Sequence, residues 1–386
     1  MSIMHIQSQI STYVSKLPNK TKLAEFPLTK IDLSKINGIQ KDIPLFDGVS
    51  MPDIAFITKY LETLNLFRGC KLGCTHCLKN AIAPKKGRES ILFEDLQRFV
   101  DGFSKLSERL GFNALNGNKY LNIIDDSNPI DLPIKGLSKE HSVAEAMKLI
   151  YEKLNIPTLF VTSGWDIKGK NAEYSKQAAK DIVKMVQKNS ESVADIQISV
   201  NPFMKVQNYA ERMAEALETF LELFKIDKAR IIYRHSDKGF EGTNEAAARN
   251  LYEKIYKLLQ KNTDSKLEQF PMLKPEAVTE FDKHHLIEPS GRGRRYFSYD
   301  RNMQLQQELI NDAIEWNSST KNIQRQILQD NAVKCIDIDG SVYTTKPSSA
   351  EYVATPIELT IPTDIKLNYI NKEKPNKIFS DINVEN

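Results

Sequence analysis

Apolar residues follow two alternating patterns along most of the chain, one typical of strands and one typical of helices. Short apolar runs predict strands at 62–67, 120–124, 158–162, 196–200 and 230–234. The spacing of an amphipathic helix appears after each run, at 91–110, 143–154, 172–187, 209–224 and 244–259. A looser strand is predicted within 276–288. Alternating units of this kind are typical of parallel strands joined by crossover helices, which predicts an α/β protein.

The number of units refines this prediction to an open, partial TIM-like barrel over residues 56–295. Five strand–helix units and one looser strand are too few for a complete eight-stranded barrel. Right-handed crossovers place the C-terminal ends of parallel strands at one rim, so we expect the polar residues after the strands to form one site. Residues 1–55, which prolines interrupt, are predicted to be an N-terminal extension, and residues 296–386 a small C-terminal α+β cap.

Composition and charge exclude several classes of protein. The 386 residues are 41% apolar and 27% charged, which is ordinary for a globular protein. A net charge of +3 is too weak to indicate a nucleic-acid partner or an acidic membrane. No apolar run approaches the roughly 18 residues of a membrane span, and the N-terminus lacks the pattern of a signal peptide. We therefore expect a cytoplasmic protein without a membrane partner.

Three of the four cysteines lie within eight residues, in the loop after the predicted strand at 62–67. Cys70, Cys74 and Cys77 form a C-x-x-x-C-x-x-C run. Three thiolates leave one iron of a four-iron cluster without a protein ligand, and that iron is open to a substrate or cofactor. A structural zinc site with His76 or Cys335 as fourth ligand is the alternative. Zinc sites usually use two separated ligand pairs, and no second pair follows here.

The motif and its position after a strand resemble the radical S-adenosylmethionine (SAM) enzymes, whose signature is C-x-x-x-C-x-x-C after the first strand of a partial (β/α)6 barrel. The resemblance implies that Cys70, Cys74 and Cys77 bind a [4Fe–4S] cluster and that SAM binds its open iron. It also implies an external one-electron reductant of the flavodoxin or ferredoxin type. One electron then cleaves SAM, and the resulting 5′-deoxyadenosyl radical abstracts hydrogen from a substrate C–H bond.

The same resemblance suggests SAM-binding residues after the second strand. Many members carry Gly-Gly-Glu-Pro there, and this run holds the ammonium group of SAM. This chain has Asp126, Ser127 and Asn128 followed by Pro129, so the proline and the position match while the glycines and the glutamate do not. An ordinary turn accounts for these residues equally well, and both interpretations stay open.

Further SAM-binding candidates follow the next three strands. Ser163 and Gly164 stand where the family often has Thr-Asn-Gly. Ser199 and Asn201 end the fourth strand, where members bind the ribose hydroxyls. Arg234 ends the fifth strand and suits a bidentate pair with the SAM carboxylate, although a surface salt bridge is the alternative.

The C-terminal part carries a second, weaker resemblance. Residues 288–295 look like the Pro-x-Gly-Arg stretch that closes the barrel in many peptide-modifying members, and a helical region is predicted at 303–328. Residues 335–345 predict a hairpin that turns at Asp339 and Gly340. The hairpin resembles the start of a SPASM extension, but it lacks the further cysteines of an auxiliary cluster. Cys335 is then a buried small side chain, a ligand on the substrate side, or the hydrogen-atom donor of an epimerase.

Together these features predict a radical SAM enzyme. The SPASM-like region favours a peptide or natural product as substrate, with epimerisation or cross-linking as the chemistry. A small-molecule substrate such as a sugar, nucleoside or amino acid is the alternative within the same class. A non-catalytic zinc or iron–sulfur binding module is the alternative of another class.

Overall fold

The computed structural model describes most of the central region and two short C-terminal segments. The described residues are 38–49, 54, 57–58, 61–70, 72, 74, 89–111, 113–115, 120–124, 127–169, 171–204, 206–235, 242–281, 285–286, 334–345 and 352–358. The predicted helix at 303–328 and the predicted barrel-closing stretch at 288–295 lie outside them.

A large, mostly parallel sheet forms the centre of the described structure. The strands in these ranges are β1 (Thr63–Leu64), β2 (Phe67–Arg68), β3 (Glu89–Ser90), β4 (Leu121–Asn122), β5 (Ile134–Lys135), β6 (Glu140–His141), β7 (Thr158–Thr162), β8 (Val193–Val200), β9 (Ala229–His235), β10 (His285–Leu286), β11 (Lys334–Ile336), β12 (Ser341–Thr345) and β13 (Tyr352–Glu358). The order across the sheet is β10-β9-β8-β7-β4-β1-β11-β12-β13. From β1 to β10, the strands of this sheet stand in chain order and each pairs in parallel with its neighbour. This arrangement confirms the α/β class.

Helices connect the parallel strands, and their ends follow from local sequence. The α-helices of the described ranges are α1 (Ile39–Asp42), α2 (Phe93–Leu110), α3 (Val143–Leu154), α4 (Ala172–Lys188), α5 (Tyr209–Phe224), α6 (Glu245–Thr263) and α7 (Pro275–Phe281). Helix α2 ends at Gly111, whose φ of 76° is the left-handed conformation that glycine favours at this position. Ser142 caps α3 as predicted, in a reciprocal capping box with Glu145.

One face of the sheet packs on the helices through fully buried side chains. Along β8, Ile196, Ile198 and Val200 are inaccessible to solvent, as the predicted alternation requires. On β9, the ring of Tyr233 meets the ring of Tyr252 on α6 edge-on, with centroids 5.7 Å apart. These contacts place the main core between the sheet and helices α5 and α6.

The end of the predicted N-terminal extension joins this core. Helix α1 is followed by a turn of 3₁₀ helix at Pro44–Phe46, and both contribute buried apolar side chains. Phe46 packs edge-on against Phe103 of α2, with ring centroids 5.4 Å apart. Residues 39–49 are therefore packed against the body of the protein.

Two predicted strands differ from the observed elements. The predicted strand at 276–288 is wrong over its first part, because 275–281 form α7 and only His285–Leu286 form a strand. Pro275 has no N–H to leave unpaired in a first helical turn, and Val278 buries its side chain. The predicted strand at 62–67 is divided into β1 and β2, and β2 leaves the large sheet to pair antiparallel with β3.

The predicted C-terminal hairpin is confirmed and extends the large sheet. Strands β11 and β12 pair antiparallel, and Gly340 takes a φ of 84° in the turn between them. Strand β11 also pairs in parallel with β1, with Cys335 opposite Thr63. The hairpin therefore adjoins the strand that leads to the cysteine motif. Among the helices that the structure describes, none is long and apolar enough to cross a membrane.

Replacing Phe220 with alanine tests the packing of α5 on the sheet. Phe220 is fully buried and meets the buried ring of Trp165 edge-on at 5.9 Å. We expect Phe220→Ala to lower the free energy of unfolding by about 3–5 kcal/mol, because it leaves a cavity that its neighbours fill only in part. Urea denaturation measures this change.

Ile226→Ala is the matched control, because Ile226 lies just beyond α5 and is 44% exposed. We expect it to change the free energy of unfolding by no more than about 0.5 kcal/mol. Equal effects of the two substitutions would contradict the packing described for α5.

Candidate functional site

The cysteine loop meets the end of β8, far away in the sequence. The Cys74 thiol donates to the thioether of Met204, with the two sulfur atoms 3.0 Å apart. The side-chain amide of Asn201 lies 3.9 Å from Cys74 Sγ and donates to it. The loop after the first strand and the loop after β8 therefore share one edge of the sheet, as a common rim requires.

Two of the three motif cysteines are described, and both are half-buried. Cys70 Sγ accepts a hydrogen bond from the backbone N–H of Leu72 at 3.5 Å. Cys77, His76 and Asp126 lie outside the described residues. Within the described ranges, no three histidine, cysteine or acidic side chains come together as metal ligands. The third ligand in the predicted set belongs to the part of the loop outside those ranges.

Tyr209, the first residue of α5, connects several of the predicted site residues. Its hydroxyl donates to the carbonyl oxygen of Ser199 at 2.8 Å. Burial raises the pKa of Tyr209, and its electrostatic interaction with Cys74 raises it further, whereas hydrogen bonds involving Asn201 and Ser163 lower it. One buried phenol thus lies within interaction range of residues from the cysteine loop, the β7 loop and the end of β8.

Sequence reasoning missed both Tyr209 and Met204. Each of them follows β8 by several residues, and apolar side chains at the start of a helix usually indicate packing. Tyrosine at the first helical position, after a strand whose end carries the polar residues Ser199 and Asn201, is the signal that was available. A buried tyrosine hydroxyl needs a partner, and the strand end supplies one.

Asn128 braces two neighbouring loops of the rim. Its side-chain NH₂ donates to the carbonyl of Gly164 at 2.7 Å, and its side-chain oxygen accepts from the hydroxyl of Thr162 at 2.8 Å. The side chain is 3% exposed. These bonds fix the loop after β4 to the end of β7, which gives Asn128 a positioning role at the predicted SAM site. Ser127, beside it, is half-buried, and its hydroxyl has no hydrogen-bond partner among the described residues.

Gly164 is required by the packing of α5 against the loop after β7. Its φ is 73°, and a Cβ atom there would lie 3.1 Å from the carbonyl oxygen of Arg212 on α5. Arg212 also forms an ion pair with Asp166 at 2.9 Å, which holds the same loop to the helix. Ser163 beside this glycine is buried and lies within reach of Tyr209. The sequence suggested Gly164 as a SAM-binding residue, and the close approach that the structure shows there is to the backbone of α5.

The remaining candidates lie on three strands of the large sheet. Ser199 is buried near the end of β8, and its parallel neighbour on β9 is Ile232. Arg234 is half-buried near the end of β9, opposite His285 of β10. Cys335 lies on β11, next to the strand that leads to the cysteine loop. These backbone positions put each candidate on a strand of the same sheet.

A cavity of about 400 Å³ opens beside this group of residues. Asn201 and Met204, which both contact Cys74, form part of its wall. Glu211 and Lys254 contribute one charge of each sign. The other lining residues are Pro202, Asn208, Tyr209, Ala210, Gly242, Ala247 and Leu251. The volume lies in the range of small-molecule sites, and the lining combines apolar surface with a few polar groups.

The chain matches no protein-family model, and no curated protein matches it. Its function is therefore inferred from its own residues and their contacts.

Substitution of Asn128 tests its role as a brace. Asn128→Ala removes the bonds to Gly164 and Thr162 and leaves two buried polar groups without their partner. We expect it to lower the free energy of unfolding by about 1–3 kcal/mol in a denaturant titration.

Ser127→Ala is the matched control from the neighbouring position, because it removes a buried hydroxyl that has no partner in the described structure. We expect it to be neutral or slightly stabilising. A loss of stability in Ser127→Ala as large as that in Asn128→Ala would contradict the brace.

Proposed function

We propose that this protein is a radical SAM enzyme in which Cys70, Cys74 and Cys77 bind a [4Fe–4S] cluster. The observation that carries the proposal is the contact of Cys74 with Asn201 and Met204. It sets the cysteine motif beside a cavity at the C-terminal edge of a parallel sheet, where ligands of α/β proteins characteristically bind. Two independent features, a motif and a location, thus favour the same site.

The described surroundings of the motif fit such a cluster. N–H groups of Leu72 and Asn201 point at the sulfur atoms of Cys70 and Cys74, and N–H···S bonds of this kind adjust the potential of iron–sulfur clusters. A metal-bound Cys74 is a thiolate, so its present donation to Met204 gives way when the metal binds. The half-buried thiols also leave room for an external ligand.

A buried guanidinium is a second candidate for binding the carboxylate of SAM. Arg212 is 2% exposed and uses one terminal nitrogen for Asp166, while its Nε and the other terminal nitrogen have no acceptor among the described residues. Those two nitrogens form the edge that binds a carboxylate with two hydrogen bonds. Arg212 therefore joins Arg234 as a candidate for the carboxylate of the cofactor.

The strand order agrees with a partial (β/α)6 barrel, which is the fold that the proposal requires. Parallel strands β1, β4, β7, β8, β9 and β10 stand in chain order. When bound together, the cluster and SAM would supply a one-electron cleavage that generates a hydrogen-abstracting radical. Within such a site, Tyr209 and Asn128 hold the loops in register, and the cavity walls bind the substrate and exclude water.

For the substrate, we propose a peptide or peptide-like natural product that undergoes epimerisation or cross-linking. The confirmed β11–β12 hairpin supports the resemblance to a SPASM region without an auxiliary cluster. The cavity, with one acidic and one basic residue in its wall, also suits the alternative of a free amino acid. An external reductant and a cytoplasmic location, where thiols stay reduced, belong to the same proposal.

Anaerobic reconstitution with iron and sulfide tests the cluster. We expect the wild-type protein to bind about four irons per chain and to form 5′-deoxyadenosine when dithionite and SAM are added. Cys70→Ala, Cys74→Ala and Cys77→Ala should each lose the cluster and this activity. Iron analysis, visible absorption and chromatography measure the outcomes.

Cys335→Ala is the matched control for these variants, because it removes the fourth cysteine and leaves the motif intact. It should bind iron as the wild-type protein does. Stoichiometric zinc in colourless protein, with no 5′-deoxyadenosine, would instead support the binding-module alternative.

The same variant tests Cys335 as a hydrogen-atom donor. A thiol can quench a substrate carbon radical by giving it a hydrogen atom, which leaves a thiyl radical on the sulfur. With the correct peptide, we expect Cys335→Ala to form 5′-deoxyadenosine and to release no epimerised product. Mass spectrometry in deuterated water measures the transfer, and normal turnover by the variant would exclude this role.

A further inference from the structure

Arg68 connects the strand before the cysteine motif to the C-terminal hairpin. Its Nε donates to a carboxylate oxygen of Asp337 at 3.2 Å, and its Nη2 donates to the same oxygen at closer range. The same Nη2 reaches Asp339 at 3.2 Å, and Nη1 lies 3.9 Å from Glu89 on β3. One guanidinium therefore faces three carboxylates from two distant parts of the chain.

The neighbouring residues reinforce this junction. The side-chain amide of Asn65 donates to the other carboxylate oxygen of Asp337 at 3.1 Å. The backbone N–H of Asn65 donates to the carbonyl of Ile336 at 2.8 Å, which continues the pairing of β1 with β11. Asp337 is thus bound through both of its oxygens by residues on either side of Leu66 and Phe67.

The position of Arg68 makes this junction relevant to the metal ligands. Arg68 precedes Cys70 by two residues, with only Gly69 between them. Gly69 takes a φ of 84°, so the chain turns sharply from the held strand into the cysteine loop. The Arg68 and Asp337 side chains are 31% and 14% exposed, which shields their interaction from water more than that of a typical surface pair.

We propose that Asp337 and Asp339 clamp Arg68 and thereby position the cysteine loop for its metal. The C-terminal hairpin is then a working part of the metal site, although it contributes none of the three motif cysteines. Arg68 and Asp337 are positioning residues, which act through the backbone that carries Cys70. This role rests on the proposed function for the metal, but it also has a consequence in the metal-free protein.

In the metal-free protein, the clamp should limit the exposure of the loop. We expect Asp337→Asn to keep the shape of the side chain and lose its charge, which weakens its two hydrogen bonds with Arg68. Cys70 and Cys74 should then react faster with a thiol reagent under native conditions, as mass spectrometry of the labelled peptides measures. Cys335→Ala in the background of every variant removes the hairpin's own thiol from the measurement.

In the reconstituted protein, the same variants should bind iron less tightly. Loss of a residue that orients metal ligands typically lowers metal affinity by about 10–100-fold. We expect that range for Asp337→Asn and Arg68→Met, and a smaller loss for Asp339→Asn, because Asp339 accepts one hydrogen bond from Arg68 where Asp337 accepts two. Arg68→Lys keeps the positive charge but cannot form the same pair of hydrogen bonds with Asp337. Its iron affinity should lie between those of the wild type and Arg68→Met.

Arg109→Met is the matched control, because it removes an arginine from an ion pair with Asp42 and not from the cysteine loop. It should label and bind iron as wild type does. If Asp337→Asn fails to fold by circular dichroism, Arg68→Lys and Asp339→Asn carry the test. If the folded clamp variants react with the thiol reagent and bind iron as the wild-type protein does, the proposed clamp is wrong.

The two proposals fail in different ways. If the wild-type protein binds no iron–sulfur cluster while the clamp variants still label faster, the proposed cofactor is wrong and the clamp stands as a holder of the cysteine loop. If the wild-type protein binds its cluster and the variants label and bind iron as it does, the clamp is wrong and the proposed function is unaffected.

Discussion

Parallel pairing between successive strands is the constraint on which the rest of this structure depends. Because β1, β4, β7, β8 and β9 run in the same direction, every loop that leaves a strand end begins at the same edge of the sheet. Polar residues that are scattered along the sequence then become neighbours. Asn128 reaches Gly164 because β4 and β7 are neighbours in the sheet. Asn201 reaches Cys74 although β7 and β4 separate their strands, because the loops that carry them meet at this edge.

Local signals in the sequence predicted the elements whose ends depend on nearby residues. Ser142 caps α3, Gly111 ends α2, and the strand at 158–162 has the predicted bounds. These features arise within a few residues of one another, so a pattern along the chain contains them. Where the boundary of an element depends on a strand that is distant in the sequence, the pattern of apolar residues did not predict it. The division of 62–67 between two sheets depends on β3 and β11, which the run of apolar residues does not reveal.

The residues of the candidate site also fall into those that local sequence predicts and those that only tertiary contacts reveal. The spacing of the cysteines is a property of eight consecutive residues, and it suggested a metal without any knowledge of the fold. Met204 and Tyr209 enter the site only because the segment between β8 and α5 comes close to Cys74 in the fold. In the sequence, Arg68 is an ordinary charged residue near a strand end, and only the structure shows its ion pair with Asp337. Residue type alone does not reveal a tertiary partner of this kind, since arginine and aspartate are both mostly exposed in folded proteins.

The pairing of β1 with β11 also has a consequence for how the protein is made. Asn65 and Asp337 are 272 residues apart, so the ribosome completes the cysteine loop long before it completes the hairpin. At ordinary rates of synthesis, the interval is on the order of 10–50 s. During that time the nascent chain carries its cysteine motif without the contacts that Asp337 makes with Asn65 and Arg68. Support from Asp337 therefore becomes available to the proposed metal site only after the β11–β12 hairpin has been translated.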